Sequence, residues 1–140
     1  MKPSSFCTIC TFPCHNELIG LLLSLSIHHP NEKIYCSTDI KTKEAIDKIT
    51  PKIKLDIKFI INLDKYSNYN RSQMTNKGIW TDFQMEKANV INYALEKSSD
   101  TLFLDSDIII LDKIDDIDLS KQLGVSPQWI KKKNIKDTGF

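Results

Sequence analysis

The sequence predicts an α/β domain: a Rossmann-like, mostly parallel sheet with flanking helices. Three observations point there. Short apolar runs alternate with segments of helical period along the chain. The run Leu102–Leu111 is apolar almost throughout, as in strands covered on both faces. Residues that end strands or start helices follow several of these runs, among them Thr11, Asp39 and Asp105.

Each element follows from its residues. Phe6 to Phe12 reads as the first strand, broken by Pro13. Asn16 is the expected N-cap and Glu17 suits a first helical turn, so Leu18 to Ile27 forms an apolar helix that ends before Pro30. Lys33 to Cys36 is a second strand, closed by the capping residues Ser37-Thr38-Asp39. Lys41 to Ile49 is amphipathic and helical. Ile53 to Leu63 is a third strand, with a possible break. Asp64 to Gly78 is polar and reads as a loop containing Tyr66, Tyr69 and Arg71. Thr81 or Asp82 then caps a long helix reaching about Lys97, and the strand Leu102–Leu111 follows. Gly124 to Trp129 reads as a further short strand.

The 140 residues and 41% hydrophobic content suit one domain with a core. Basic and acidic residues nearly cancel, 19 against 18, which gives no global electrostatic case for nucleic acid or a membrane surface as partner. The charge is uneven locally: Asp105 to Asp118 is acidic, and Lys121 to Lys136 is lysine-rich, read as a solvated surface. The longest apolar stretch, Leu18 to Ile27, is too short to span a bilayer. Of the four cysteines, Cys7, Cys10 and Cys14 are closely spaced, but neither a second Cys pair nor a His pair follows at zinc-site spacing. They read as reduced thiols, which favours a cytoplasmic location.

The chemistry concentrates in Asp105-Ser106-Asp107. If the strand runs through this stretch, residues i and i+2 share a face, so both carboxylates point one way. Paired carboxylates in apolar surroundings need a divalent cation, a basic partner or contact with solvent. In parallel α/β sheets ligands bind outside the carboxyl ends of the strands. Thr11, Phe12, Asp39, Asp105 and Asp107 all fall at such ends. On the long helix, at about 100° per residue, Lys87 lies in the middle of the stripe Phe83, Val90, Ile91, Ala94 and Leu95. It either snorkels outward or reaches inward towards a carboxylate or an anionic ligand. Asp116-Ile117-Asp118 has no strand before it and reads as a solvated loop.

The stretches Trp80-Thr81-Asp82-Phe83-Gln84-Met85-Glu86-Lys87, Ala94-Leu95 and Phe103-Leu104-Asp105-Ser106-Asp107-Ile108 together resemble GT-A type glycosyltransferases, of the nucleotide-diphospho-sugar transferase superfamily. Cys7-Thr8-Ile9-Cys10-Thr11-Phe12 is similar to the first strand of that superfamily, whose end cradles the nucleoside. The resemblance implies a sugar-nucleotide donor held by Thr11, Phe12, Asp39, Lys87, Asp105 and Ser106, and Mn2+ or Mg2+ held by Asp105 and Asp107. Asp107 would take the direct metal bond, while Asp105 binds the ribose or reaches the metal through water. An unknown acceptor would be the second substrate, and no catalytic residue is assigned. The family also implies an acceptor-binding half beyond Phe140, so residues 1–140 are expected to form a single donor-binding domain truncated at its C-terminus. Two other readings stay open: a non-catalytic nucleotide-sugar or metal-binding module, and a haloacid-dehalogenase-type phosphatase with the first Asp as nucleophile.

Overall fold

The computed structural model describes residues 1–124. The expected strand Gly124–Trp129 and the lysines from Lys131 to Lys136 lie wholly or almost wholly outside them. Four parallel strands, β1 (Phe6–Cys10), β2 (Lys33–Thr38), β3 (Asp56–Ile61) and β4 (Leu102–Phe103), form one sheet in the order β3-β2-β1-β4. The helices are α1 (His15–His28), α2 (Ile40–Asp47), α3 (Arg71–Asn76) and α4 (Trp80–Leu95). The predicted α/β class therefore holds. Among the described residues no helix is long and apolar enough to cross a membrane.

Alternation along β1 builds two cores. Phe6 and Cys10 pack with Leu18, Leu21, Leu22 and Leu25 of α1 and Ile46 of α2 on one face. Cys7 and Ile9 pack with Phe83, Val90 and Ala94 of α4 and Met74 of α3 on the other. Burial on both faces explains why β1 carries apolar residues on both sides, with Thr8 its one hydroxyl, rather than alternating apolar with charged.

Several boundaries differ from the sequence reading. β1 stops at Cys10, because Phe12-Pro13-Cys14 forms a 3-10 turn. Cys14, not Asn16, takes the N-cap of α1, without a side-chain cap bond. β2 extends to Thr38, and Asp39 caps α2 by accepting from the Thr42 amide at 2.9 Å. α2 begins at Ile40 and ends at Asp47, short of Ile49. β3 begins only at Asp56, since Thr50–Lys52 forms a 3-10 turn before it, and ends at Ile61. The expected loop 64–78 contains a 3-10 turn and α3, the latter held by a capping box between Asn70 and Gln73. α4 is capped two or three residues earlier than its polar residues suggest, by Ile79 rather than Thr81 or Asp82, and ends at Leu95 rather than near Lys97. Leu95 is exposed rather than part of the buried stripe.

The largest difference lies at the acidic run. Only Leu102 and Phe103 pair with β1, although the Leu104 amide still donates to Cys7 O at 2.9 Å. The chain then turns, with Ile108 N donating to Asp105 O at 3.2 Å. Of the apolar residues beyond, Ile110 is buried in the core with α1 rather than in a sheet, while Ile108, Ile109 and Leu111 are exposed. Ile110 N donates to Ser24 Oγ at 3.0 Å, and Ile114 N donates to His29 Nε2 at 2.8 Å. Gly20 gives this segment room, since a Cβ there would lie 2.9 Å from Ile109 Cδ1. Buried backbone donors need partners, and these two side-chain acceptors replace a strand neighbour.

Candidate functional site

The strand order reverses between β1 and β4, because β2 and β3 lie on one side of β1 and β4 on the other. At such a point the connections leave in opposite directions and open a crevice at the carboxyl edge. A cavity of about 620 Å³ occupies it, within the usual size range of small-molecule sites. β1 and the turn after it contribute Cys10 and Thr11, and the first turn of α1 contributes Glu17. Asp105, Ser106 and Asp107 form the wall beyond β4, while Trp80, Gln84 and Lys87 of α4 close the side. Tyr69, Asn70 and Arg71 come in from the segment that leads into α3.

The two aspartates are brought together by a turn, not by strand alternation. Ser106 and Asp107 are the central residues between the bonded Asp105 and Ile108. Both carboxylates are consequently exposed, so solvent offsets the charge that a buried strand would have left uncompensated. Lys87 reaches inward: its Nζ donates to Asp105 Oδ1 at 2.8 Å and lies 5.5 Å from the centre of the Phe103 ring. The Lys87 side chain is one-third exposed and that of Asp105 about half. Asp107 forms no ion pair among the described residues.

Thr11, Lys87, Asp105, Ser106 and Asp107 line the cavity, whereas Phe12 and Asp39 stand outside its lining. The Phe12 ring lies flat against His15, 4.4 Å between centroids and 1° between planes. Asp39 is fully buried. Its carboxylate accepts from Phe12 N at 2.9 Å, from Thr42 N and from the Ser67 hydroxyl. Burial alone would push this carboxyl up, but the hydrogen bonds from Ser67, Phe12 and Thr42 outweigh it and hold it below the ordinary Asp range. Asp39 thus ties the end of β1, the start of α2 and the turn before Tyr69 together, and the cavity wall depends on all three.

The cysteines are free. Burial pushes the Cys7 thiol up to about 11, and burial also raises Cys10 and Cys36. Cys14 is raised by burial and by the neighbouring charges of Glu17 and Asp107. These are poor nucleophiles. Among the described residues no three or more His, Cys, Asp or Glu side chains are arranged to hold a metal ion. The donor set therefore does not form a protein-only cage. Two exposed carboxylates fit the other mode, in which Mg2+ or Mn2+ takes one or two carboxylates and completes its shell with water and ligand phosphate.

The sequence reading did not place Glu17, Tyr69, Arg71, Trp80 or Gln84 at the site. Arg71 sits over the Trp80 ring at 5.1 Å, which joins α3 to α4 at the cavity wall. The available signal was position: a long polar connection after a strand's carboxyl end lies on the ligand edge, whatever its local structure.

No family model matches the sequence, and no curated protein matches it.

Proposed function

We propose that the cavity at the β1/β4 reversal binds a nucleoside diphosphate, as the donor part of a glycosyltransferase that uses a nucleotide-diphosphate sugar and a divalent cation. The observation that carries this reading is the convergence of Asp105 and Asp107 with Lys87 and Arg71 on one crevice at the sheet's carboxyl edge. Carboxylates and cations lining one crevice suit a ligand that is itself anionic and needs a cation. The resemblance of the Trp80–Lys87 and Phe103–Ile108 stretches to GT-A enzymes supports the transferase reading.

Asp107, exposed and without an ion pair among the described residues, is the residue best able to hold the metal. Asp105 already shares its charge with Lys87. A bound divalent ion would neutralise charge on the leaving diphosphate. Lys87 and Arg71 provide further positive charge in the lining, and Thr11 and Ser106 provide hydroxyls. Lys87 also fixes the carboxylate of Asp105.

Titration calorimetry with a panel of nucleotide sugars tests this reading. With Mn2+ one nucleotide class should bind, and excess EDTA should weaken it strongly. Equal affinity with and without chelator would remove the metal. Lys87→Met should lower nucleotide affinity at least about tenfold, on the scale of a charge-assisted contact, while the fold persists. Unchanged affinity would separate Lys87 from the ligand. Release of free sugar from the bound donor would favour the transferase, and binding without any turnover would favour a non-catalytic module.

A further inference from the structure

A second cavity, of about 470 Å³, adjoins the first across Tyr69, which lines both. Its other lining residues are Lys65, Tyr66, Lys77, Ile79 and Asp82. Lys65 Nζ lies 5.0 Å from the centre of the Tyr66 ring, and Lys77 Nζ lies 5.1 Å from that of Tyr69. Neither lysine forms an ion pair among the described residues. An ammonium over an aromatic face is attracted by the ring quadrupole and loses water on that side. It keeps its other hydrogen-bonding directions for a ligand. Asp82, in the first turn of α4, is the single carboxylate in the lining and offsets one of the two positive charges.

We propose that this cavity is an anion subsite that recognises the phosphoryl group of a small phosphorylated ligand, distinct from the nucleotide of the first cavity. Two ammonium groups supply the compact point charges that suit phosphate. The volume exceeds one phosphate, and the partly exposed ring of Tyr69 offers apolar surface for the group that carries it, while Tyr66 is buried beneath Lys65. The residues are separate from Asp105, Asp107 and Lys87, so this inference stands whether or not the donor reading does.

The test is an amide NMR titration of the whole chain with inorganic phosphate and with phenyl phosphate. Shifts are expected at Lys65, Lys77 and Asp82, with phenyl phosphate binding the tighter of the two. The double variant Lys65→Met with Lys77→Met should weaken binding roughly tenfold, within the range of two charge-assisted contacts partly screened by solvent. Asp82→Asn, which removes the repelling carboxylate, should tighten it, and Lys87→Met should leave it unchanged. The amide spectrum of each variant reports its fold. A double variant that titrates like the parent would overturn the proposal, as would shifts confined to Arg71, Lys87 and Asp105.

Discussion

Asp39 and Asp107 stand beyond the carboxyl ends of two strands in one sheet, yet their surroundings are opposite. Asp39 is fully buried, and its oxygens accept from two backbone amides and a hydroxyl. Asp107 is exposed in a turn and forms no ion pair among the described residues. An acidic residue at a strand end is thus not yet a ligand-binding residue. What decides is whether the fold itself has spent the carboxylate's acceptor capacity. At Asp39 it has, and the charge serves to join three segments. At the Asp105–Asp107 turn it has not, and the capacity is open to something outside the chain.

The strongest way to break this contrast is Asp39→Ala. It leaves the Phe12 and Thr42 amides and the Ser67 hydroxyl without their acceptor, and it removes the cap of α2. A loss on the order of 3 kcal/mol is expected in urea unfolding. A loss below about 1 kcal/mol, the scale of an ordinary cap, would show that the corner does not depend on this carboxylate. The pH dependence has a defined sign. The folded carboxyl is held below the ordinary Asp value, so the unfolded chain takes up the proton first as pH falls. The stability contributed by Asp39 is fully present above the ordinary Asp pKa and is lost as pH falls through the folded value. Asp39→Asn should remove this acid dependence.

The converse change sharpens the contrast with a smaller free-energy effect. Asp105→Asn and Asp107→Asn should each shift stability by no more than about 0.5 kcal/mol, as for exposed positions away from a buried network. In the proposed donor site, Asp107→Asn should still weaken metal-dependent nucleotide binding at least about tenfold, or ~1.4 kcal/mol. Asp105→Asn should do so less, because Lys87 already holds that carboxylate. A destabilisation above about 2 kcal/mol at either position would make the turn structural in the way Asp39 is.

The contrast was only half legible in the sequence. The cap role of Asp39 follows from its place after Ser37-Thr38 and before a helical period, and the structure agrees. Its assignment to the ligand came from its strand-end position and the resemblance, and sequence does not show that Phe12 and Ser67 occupy the same oxygen. For Lys87 the sequence showed only that a lysine centred in an apolar stripe needs a destination, outward or inward; the ion pair with Asp105 selects the inward one. Ile108–Leu111 misled: four apolar residues look the same whether a sheet or a helix covers them. Here α1 covers part of the run, through Gly20 and Ser24, which resemble nothing but ordinary small residues in an apolar helix. The Asn70-Gln73 capping box was readable, but polar composition hid it in an apparent loop.

The mildest test asks whether the Asp105 corner is as rigid as the Asp39 corner. In α1, Gly20→Ala removes a residue that is poor in helix interiors, which by itself favours the variant by roughly 0.5–1 kcal/mol. The new Cβ would lie 2.9 Å from Ile109 Cδ1, too close unless something moves. That atom is the far end of a side chain that is 54% exposed, so a change of its outer torsion relieves the contact at little cost. Ile110 remains tied to Ser24 and need not shift. The variant should therefore be as stable as the parent or up to about 1 kcal/mol more so, as read from urea midpoints at constant slope. Its metal-dependent nucleotide affinity should be unchanged. A loss of stability would mean that Ile109 is fixed in place. The turn carrying Asp105 and Asp107 would then be clamped to α1 as firmly as Asp39 clamps its own three segments.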